Sequence, residues 1–242
     1  MQRMRTLAAI AALGLGTAAF ARAETTVVTF DGGDNGGFAG NAFFEGSGGN
    51  PGGAAHHDGT FFFNSLRTGG LGEPANAAFL GDYSLFNEIT ISFDIRVDSL
   101  TDFAGNQITR PIGISLIDRD IQGPSGPSGV FFELDPISAS AQDDWTTMSL
   151  TITDPTQMDL PPGWIGFGDE DPNTFEPILP SGASFASVLS SVDEFQITGG
   201  VPGFFFTNAN FDVFIDNIAI TVPAPATLAL LAPMLFAGRR RR

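Results

Sequence analysis

Glu133-Leu134-Asp135 sets two carboxylates two positions apart in an extended stretch, and alternation along a strand puts both on one face. Retaining glycoside hydrolysis needs such a pair, one nucleophile and one acid, about 5 Å apart. Pro136 interrupts the strand immediately after the pair. His56 and His57 are the only histidines, and they follow a Gly-rich run. Adjacent side chains of an extended chain point apart, so the two are not expected to share a metal, and their surroundings predict solvated loop residues. A Ser-His-Asp triad would have to use one of them, and no G-x-S-x-G elbow is present to expose a serine. The absence of cysteine excludes thiol catalysis and Cys-based zinc sites. Asp169-Glu170-Asp171-Pro172-Asn173 begins like an EF-hand loop. It fails at Thr174, where the turn needs glycine, and at Pro180, where a bidentate glutamate belongs, so at most it is a loose surface cation site.

The end of the chain's apolar patterning points to different chemistry. Phe211, Val213 and Ile215 share one face of a strand, yet Ile218 and Ile220 continue on the opposite parity. The phase flips at Asp216-Asn217, which predicts a bulge. A bulge frees a backbone carbonyl and re-aims a carboxylate, as an oxygen-ligand cation site requires. The alternative is that Asp216 caps a turn.

The elements that would position these groups are strands. Ile89, Ile91, Phe93, Ile95 and Val97 alternate with Thr90, Ser92, Asp94, Arg96 and Asp98, which describes a half-buried strand with one wet face. Met148, Leu150 and Ile152 alternate with threonines and Ser149 in the same way. Further strands are predicted over Thr25–Phe30, Thr60–Leu66, Ile112–Asp118, Gly129–Leu134, Glu194–Thr198 and Phe211–Thr221, separated by Gly, Pro, Asn and Asp clusters. Phe185–Val192 is the one short helix expected. The fold class is therefore all-β, an antiparallel β-sandwich of the jelly-roll kind. The Gly-rich run from Gly32 to Gly53 lacks the strand-then-helix context of a nucleotide fingerprint and reads as loop. Gly123-Pro-Ser-Gly-Pro-Ser-Gly129 imitates two collagen triplets but is too short for a triple helix.

Both ends of the chain carry processing patterns. Arg3 and Arg5 precede an apolar run, Thr6 to Phe20, and Ala21-Arg22-Ala23 forms an A-x-A cleavage site. Residues 1–23 are thus expected to be a signal peptide, with the mature chain starting at Glu24. At the other end, Pro223-Ala224-Pro225 is followed by about a dozen apolar residues, Thr227 to Gly238, and then by Arg239, Arg240, Arg241 and Arg242. That run is shorter than the roughly 20 residues of a spanning helix, and Pro233 weakens it further. A transient, cleavable membrane contact is expected, with the arginines on the cytoplasmic side. The order of the three parts resembles the PEP-CTERM sorting tail, with alanine in place of the central glutamate of the Pro-Glu-Pro box. The resemblance implies an exosortase-like transpeptidase as partner and a place at the cell envelope, the outer surface or the extracellular matrix.

The body, residues 24–222, is one domain with ample core. It holds all 27 acidic residues against four arginines, Arg67, Arg96, Arg110 and Arg119. Such a surface repels nucleic acid and anionic lipid and favours divalent cations. Several segments in order resemble the laminin IV type A (laminin B) domain: Thr29-Phe30-Asp31-Gly-Gly-Asp34, Gly48-Gly-Asn50-Pro51-Gly52-Gly53, Phe79-Leu80-Gly81-Asp82-Tyr83-Ser84, Ile91-Ser-Phe93-Asp94-Ile95-Arg96, Asp144-Trp145, Phe185-Ala-Ser-Val188-Leu189 with Val192-Asp-Glu-Phe-Gln-Ile197, and Phe214-Ile215-Asp216-Asn217-Ile218. That family is similar in fold to the galactose-binding jelly rolls. The resemblance implies a non-catalytic extracellular binding or architectural module, and a structural Ca²⁺ clasped by Asp31 and Asp216 with loop oxygens around Asn50 and Asp58. The Glu133–Asp135 pair resembles part of the Glu-x-Asp-x-x-Glu motif of laminarinase-like glycosidases, but Ser138 stands where the second glutamate belongs. Sugar platforms use exposed Trp or Tyr, and Trp164 in Pro161-Pro-Gly-Trp-Ile-Gly166 is the candidate ligand-binding ring. The expectation is an exported, surface-sorted β-sandwich that binds or structures extracellular polysaccharide. The alternatives are a purely structural matrix protein and a laminarinase-like hydrolase.

Overall fold

A computed structural model describes residues 23–61, 66–203 and 208–223. The chain folds as an antiparallel β-sandwich. The first sheet is built on β5 (Ile89–Thr101) and β13 (Asn208–Val222), which pair along most of their length. β3 (Gly52–Phe61) and then β2 (Phe43–Gly49) lie beyond β13, and β8 (Thr146–Ile152) lies beyond β5. β1 (Glu24–Val28) pairs with the C-terminal end of β13, so the first strand and the last are neighbours. The second sheet runs β4 (Leu66–Gly69), β12 (Glu194–Thr198), β6 (Gly113–Gly123), β7 (Gly126–Glu133), β9 (Trp164–Phe167). A two-stranded ribbon joins β10 (Asp169–Glu170) to β11 (Pro177–Ile178).

The alternation read in the sequence is what the packing uses. Ile89, Ile91, Phe93, Ile95 and Val97 are buried, while Thr90, Ser92, Asp94 and Arg96 stay partly open. Their apolar face meets Ile114, Leu116, Val130, Phe195 and Ile197 from the second sheet in one continuous core. Phe38, Phe79 and Phe195 interlock there, with ring centroids 5.2 to 6.2 Å apart. Buried Tyr83 donates its hydroxyl proton to the Phe79 carbonyl at 2.9 Å, so its polar tip is paired. One short helix, α1 (Phe185–Leu189), packs against β6 and β7. It starts at a reciprocal Ser184–Ser187 capping box and ends three residues before the predicted Val192.

The sequence-predicted strands fall on β1, β5, β6, β7, β8, β12 and β13. Thr60–Leu66 instead spans the end of β3 and the start of β4, with residues 62–65 outside the described set. The larger difference is the Gly-rich run, whose second half forms strands rather than loop. β2 and β3 make a hairpin through the cis Asn50–Pro51 bond. Their Gly and Ala residues carry little apolar alternation, so the period-two pattern is invisible there. Most of the two terminal processing segments, residues 1–22 and 224–242, including Arg3, Arg5, Ala21, Pro225 and Arg239 to Arg242, lies outside the described residues. Among the described residues no helix is long and apolar enough to cross a membrane.

Candidate metal centre

The predicted bulge is present. Asp216 faces Asp94 and Ala219 faces Ser92, so three steps along β13 match two along β5. Asn217 takes the extra place with φ 51°, in the left-handed region that Asn tolerates. The consequence is local: Ile218 and Ile220 return to the core on the opposite parity, and the Asp216 carboxylate is turned into the protein with no exposure.

What it meets is the tip of the β2–β3 hairpin. Asn50 donates its backbone N–H to Asp216 Oδ2 at 2.6 Å, and Asn217 N–H donates to Oδ1 at 2.7 Å. Asp31, which follows β1, approaches the same tip: Gly53 N–H donates to its Oδ1 at 3.2 Å, and Thr29 Oγ1 donates to its Oδ2 at 2.9 Å. Backbone oxygens crowd in between. A β-carbon at Gly53 would lie 2.0 Å from the Phe30 carbonyl oxygen and 2.8 Å from that of Glu45. One at Gly49 would lie 1.7 Å from the Gly53 carbonyl oxygen and 2.7 Å from Asp216 Oδ2, and one at Gly52 would lie 1.9 Å from Asp31 Oδ1. Three glycines thus let three carbonyls and two carboxylates close in on the hairpin tip as an oxygen-lined cradle. An all-oxygen set with two acids suits a hard cation of flexible geometry such as Ca²⁺, which takes about 6–8 oxygens. Asp31 is exposed, so the cradle is open to solvent on its side.

The electrostatics are those of a site that repels itself. Burial raises the Asp216 carboxyl above the usual carboxylate range, and the Asp94 and Asp31 charges push it the same way, against the lowering effect of its two amide hydrogen bonds. Asp94 is tied in by Asn50 Nδ2 at 3.0 Å, Asn217 Nδ2 at 2.8 Å and Thr147 Oγ1 at 2.6 Å. Asn217 Nδ2 also donates to the Asn50 carbonyl at 2.6 Å. Asn50 therefore holds the carboxylates in place through its own N–H groups.

Of the four predicted metal residues, Asp31, Asn50 and Asp216 meet at this tip and Asp58 does not. Asp58 is exposed on β3, opposite Asp212, five residues past Gly53 and about 17 Å along the strand at ~3.4 Å per residue. Asp94 and the Phe30, Glu45 and Gly53 carbonyls also border this tip, which the sequence reading did not anticipate. Asp94 could have been found by pairing the two longest strands, which sets it opposite the bulge. Among the described residues, Asp118, Asp120 and Asp193 also bring carboxylate oxygens within 4.8 Å of one another. Those groups are engaged with backbone: Asp118 Oδ1 accepts from Asp120 and Ile121, and Asp193 Oδ2 accepts from Arg119.

Trp164 is half-buried, 5.3 Å from Phe132 and 5.0 Å from Phe185 between ring centroids, and packs against the core as an edge plug. Glu133 and Asp135 are exposed with Leu134 buried between them, and they line an open cavity of about 380 Å³ with Gln142 and Thr147. The histidines are on β3 and not in a solvated loop. His57 is buried, edge-on to Phe211. His56 bridges Glu45 at 2.9 Å and Asp212 at 2.8 Å. Its ring stacks on Phe214 at 3.9 Å, and the Arg96 guanidinium sits 4.3 Å over the same Phe214 ring.

This arrangement has a pH signature. Burial works against the charged imidazole of His56, but the bonds and charges of Glu45 and Asp212 outweigh it and raise its pKa above 6.5. The resulting stabilisation is complete below the unfolded value and is lost as pH rises through the folded one. Burial lowers His57 instead, so its contribution has the opposite sign. The expected result is that His56→Phe, which keeps the stacking, removes a fall in melting temperature on raising pH from about 6 to 8. An unchanged pH slope in this variant would show that the bridge contributes nothing.

No protein-family model matches the chain, and no curated protein matches it. Solved structures give a distant likeness. The CBM22-1–GH10 modules of Clostridium thermocellum endo-1,4-β-D-xylanase 10B, complexed with xylohexaose, align over 85% of this chain and 28% of theirs at 13% identity and a TM-score of 0.41. Trypanosoma rangeli sialidase, in complex with a difluoro-KDN ligand, aligns over 88% of this chain and 32% of its own at 14% identity and a TM-score of 0.38. The tripod of the bacteriophage Tuc2009 baseplate aligns over 85% of this chain and 65% of its own at 11% identity and a TM-score of 0.32. The chain spans less than a third of the length of the first two.

Proposed function

We propose that the protein is an exported β-sandwich module, sorted to the cell surface through its C-terminal tail, that acts without catalysis by binding or structuring an extracellular polysaccharide matrix. In this reading a Ca²⁺ ion held at the Asp31–Asp216 cradle fastens the end of the first strand, the β2–β3 hairpin and the last strand to one another. The carrying observation is the close approach of carboxylate and carbonyl oxygens that Gly49, Gly52 and Gly53 allow at the hairpin tip. A domain without disulfides and with 27 acidic residues has reason to use a cation as its cross-link. Extracellular modules bind Ca²⁺ with dissociation constants of about 10⁻⁴ to 10⁻³ M, a range that an oxygen cradle open on one side suits. When bound, the ion would supply charge neutralisation and a tie between strands.

The export half of the proposal rests on the two terminal patterns, Arg3 to Ala23 and Pro223 to Arg242. The expected result is that protein released from the envelope lacks residues 1–23 and the tail beyond Pro223–Pro225 by intact mass. Replacing Arg239–Arg242 by serine is expected to leave unprocessed protein in the membrane fraction. Mature protein that keeps its arginines would refute the sorting step.

A further inference from the structure

The outward face of the second sheet is built unlike a solvated face. Cross-strand register fixes which residues share it. Gln196 of β12 lies opposite Ser115 of β6, which lies opposite Phe131 of β7. In the next row Glu194 lies opposite Ile117. Their strand neighbours Phe195, Leu116 and Val130 point into the core, so this row faces the other way. Yet Phe131 is 0% and Ile117 7% exposed: the Phe131 ring lies against Gly113, where a β-carbon would be 2.3 Å from it, and Ile117 borders a cleft that the segment carrying β10 and β11 also lines. Between sheet and cover an open cleft of about 410 Å³ remains, within the ordinary range of ligand sites.

Its floor carries Ser115, Arg119 and Gln196, and Glu194, which does not line the cleft, orients the last two. Glu194 is 1% exposed, and both its oxygens are engaged. Arg119 donates to Oε2 through Nε at 2.8 Å and through Nη2, and Gln196 Nε2 donates to Oε1 at 2.6 Å. With its NH₂ group committed to Glu194, Gln196 keeps an acceptor oxygen, and Arg119 keeps N–H groups beyond the two that Glu194 takes. The Ser115 hydroxyl, 4% exposed, also borders the cleft. The walls are apolar: Phe167, Pro127, Pro177 and, at the mouth, Phe175. Phe175 is 73% exposed and sits at φ 60°, a strained place for a bulky side chain, held by its N–H bond to the Asp171 carbonyl at 2.8 Å. An exposed aromatic ring at the entrance of a polar-floored cleft is a stacking surface paired with hydrogen-bonding groups.

We infer that this cleft takes a short segment of neutral polysaccharide. This rests on the matrix-binding reading above and names its site and ligand class. Hydroxyl groups match donors and acceptors that are already oriented, and the C–H face of a pyranose ring matches Phe175 and Phe167. Charge decides against an anionic sugar. The Arg119 cation is neutralised by Glu194, and Asp169 and Glu170 line the same cleft. The ring that carries the interaction is then Phe175; Trp164 does not line this cleft.

The test is calorimetric titration of the processed protein, in Ca²⁺, with xylohexaose, cellohexaose and mannohexaose, and with hexagalacturonate as the anionic probe. At least one neutral hexaose is expected to bind. Phe175→Ala, an exposed position whose loss does not threaten the fold, is expected to weaken it at least tenfold, and Ser115→Ala several-fold. Glu133→Gln, in the other cavity, is expected to leave binding unchanged. Neutral hexaose binding that both cleft variants leave intact would overturn the site and leave matrix binding standing. Tighter binding of hexagalacturonate would overturn the ligand class. If no hexaose binds while the protein still cosediments with its matrix, the cleft proposal fails and the purely structural role stands.

Discussion

Gly53→Ala is expected to lower the melting temperature by about 6–12 °C, corresponding to roughly 3 kcal/mol at ~2–4 °C per kcal/mol for a domain of this size. The added carbon would lie 2.0 Å from the Phe30 carbonyl oxygen, 2.4 Å from its carbon and 2.8 Å from the Glu45 oxygen. All three are backbone atoms, on two separate segments, so no side-chain rotation relieves the contact. Ordinary overpacking costs about 1–3 kcal/mol because side chains give way; here the chain itself must move. Gly59→Ala is the matched control on the same strand, since its β-carbon would meet only the His57 ring at 3.5 Å. Its melting temperature is expected to stay within about 2 °C of the parent, the surface-substitution range. A Gly53→Ala protein that melts with the parent would mean that the carbonyls do not converge on this glycine.

That clash also explains which parts of the molecule were legible in the chain. Where residues alternate between apolar and polar, as in β5 or β8, the sequence pattern and the burial pattern coincide. The break in alternation at Asp216-Asn217 was legible for the same reason, because a flip of parity has a geometric cause. The β2–β3 hairpin is held by close backbone approach, which demands glycine and leaves no periodic signature. The resemblance places Asp58 beside Asn50 as a loop oxygen, but Asp58 is on strand β3, and a strand carries five residues about 17 Å away. Residue type alone points to Trp164, whereas its ring's neighbours, Phe132 and Phe185, follow from the pairing of β7 with β9. The cleft was illegible because Ile114–Ile117 and Val130–Phe132 read as runs buried on both faces. Only the structure shows that the second face is covered incompletely, by a ribbon distant in sequence.

Calcium is expected to raise the melting temperature of the metal-stripped protein, and EDTA to reverse the rise. A ligand bound only by the folded state stabilises it by about 2.7 kcal/mol at a hundredfold excess over its dissociation constant, or about 5–11 °C for a domain of this size. Mg²⁺ is expected to do less, since it keeps its waters and prefers a tight octahedron. The variant that tests the site is Asp216→Ala. It strands the Asn50 and Asn217 amides and lowers the starting melting temperature, so the quantity to compare is the increment produced by Ca²⁺, which is expected to vanish. Asp171→Ala is the control: that carboxylate is partly exposed and is occupied by the Asn173 and Thr174 amides, and the increment is expected to persist. Acidification supplies a second, independent sign. Burial first, then Asp94 and Asp31, raise the folded-state pKa of Asp216 above its unfolded value. Its charge therefore costs stability in metal-free protein at neutral pH. That cost is relieved as pH falls through the folded value and is gone below about 3.9, the unfolded one. With Ca²⁺ bound the same carboxylate must stay ionised, so the Ca²⁺ increment shrinks over the same range as protons compete for the oxygens. An increment that is zero at all pH values, or one that survives Asp216→Ala, would leave Asp216 as a buried turn cap and the cradle without a cation.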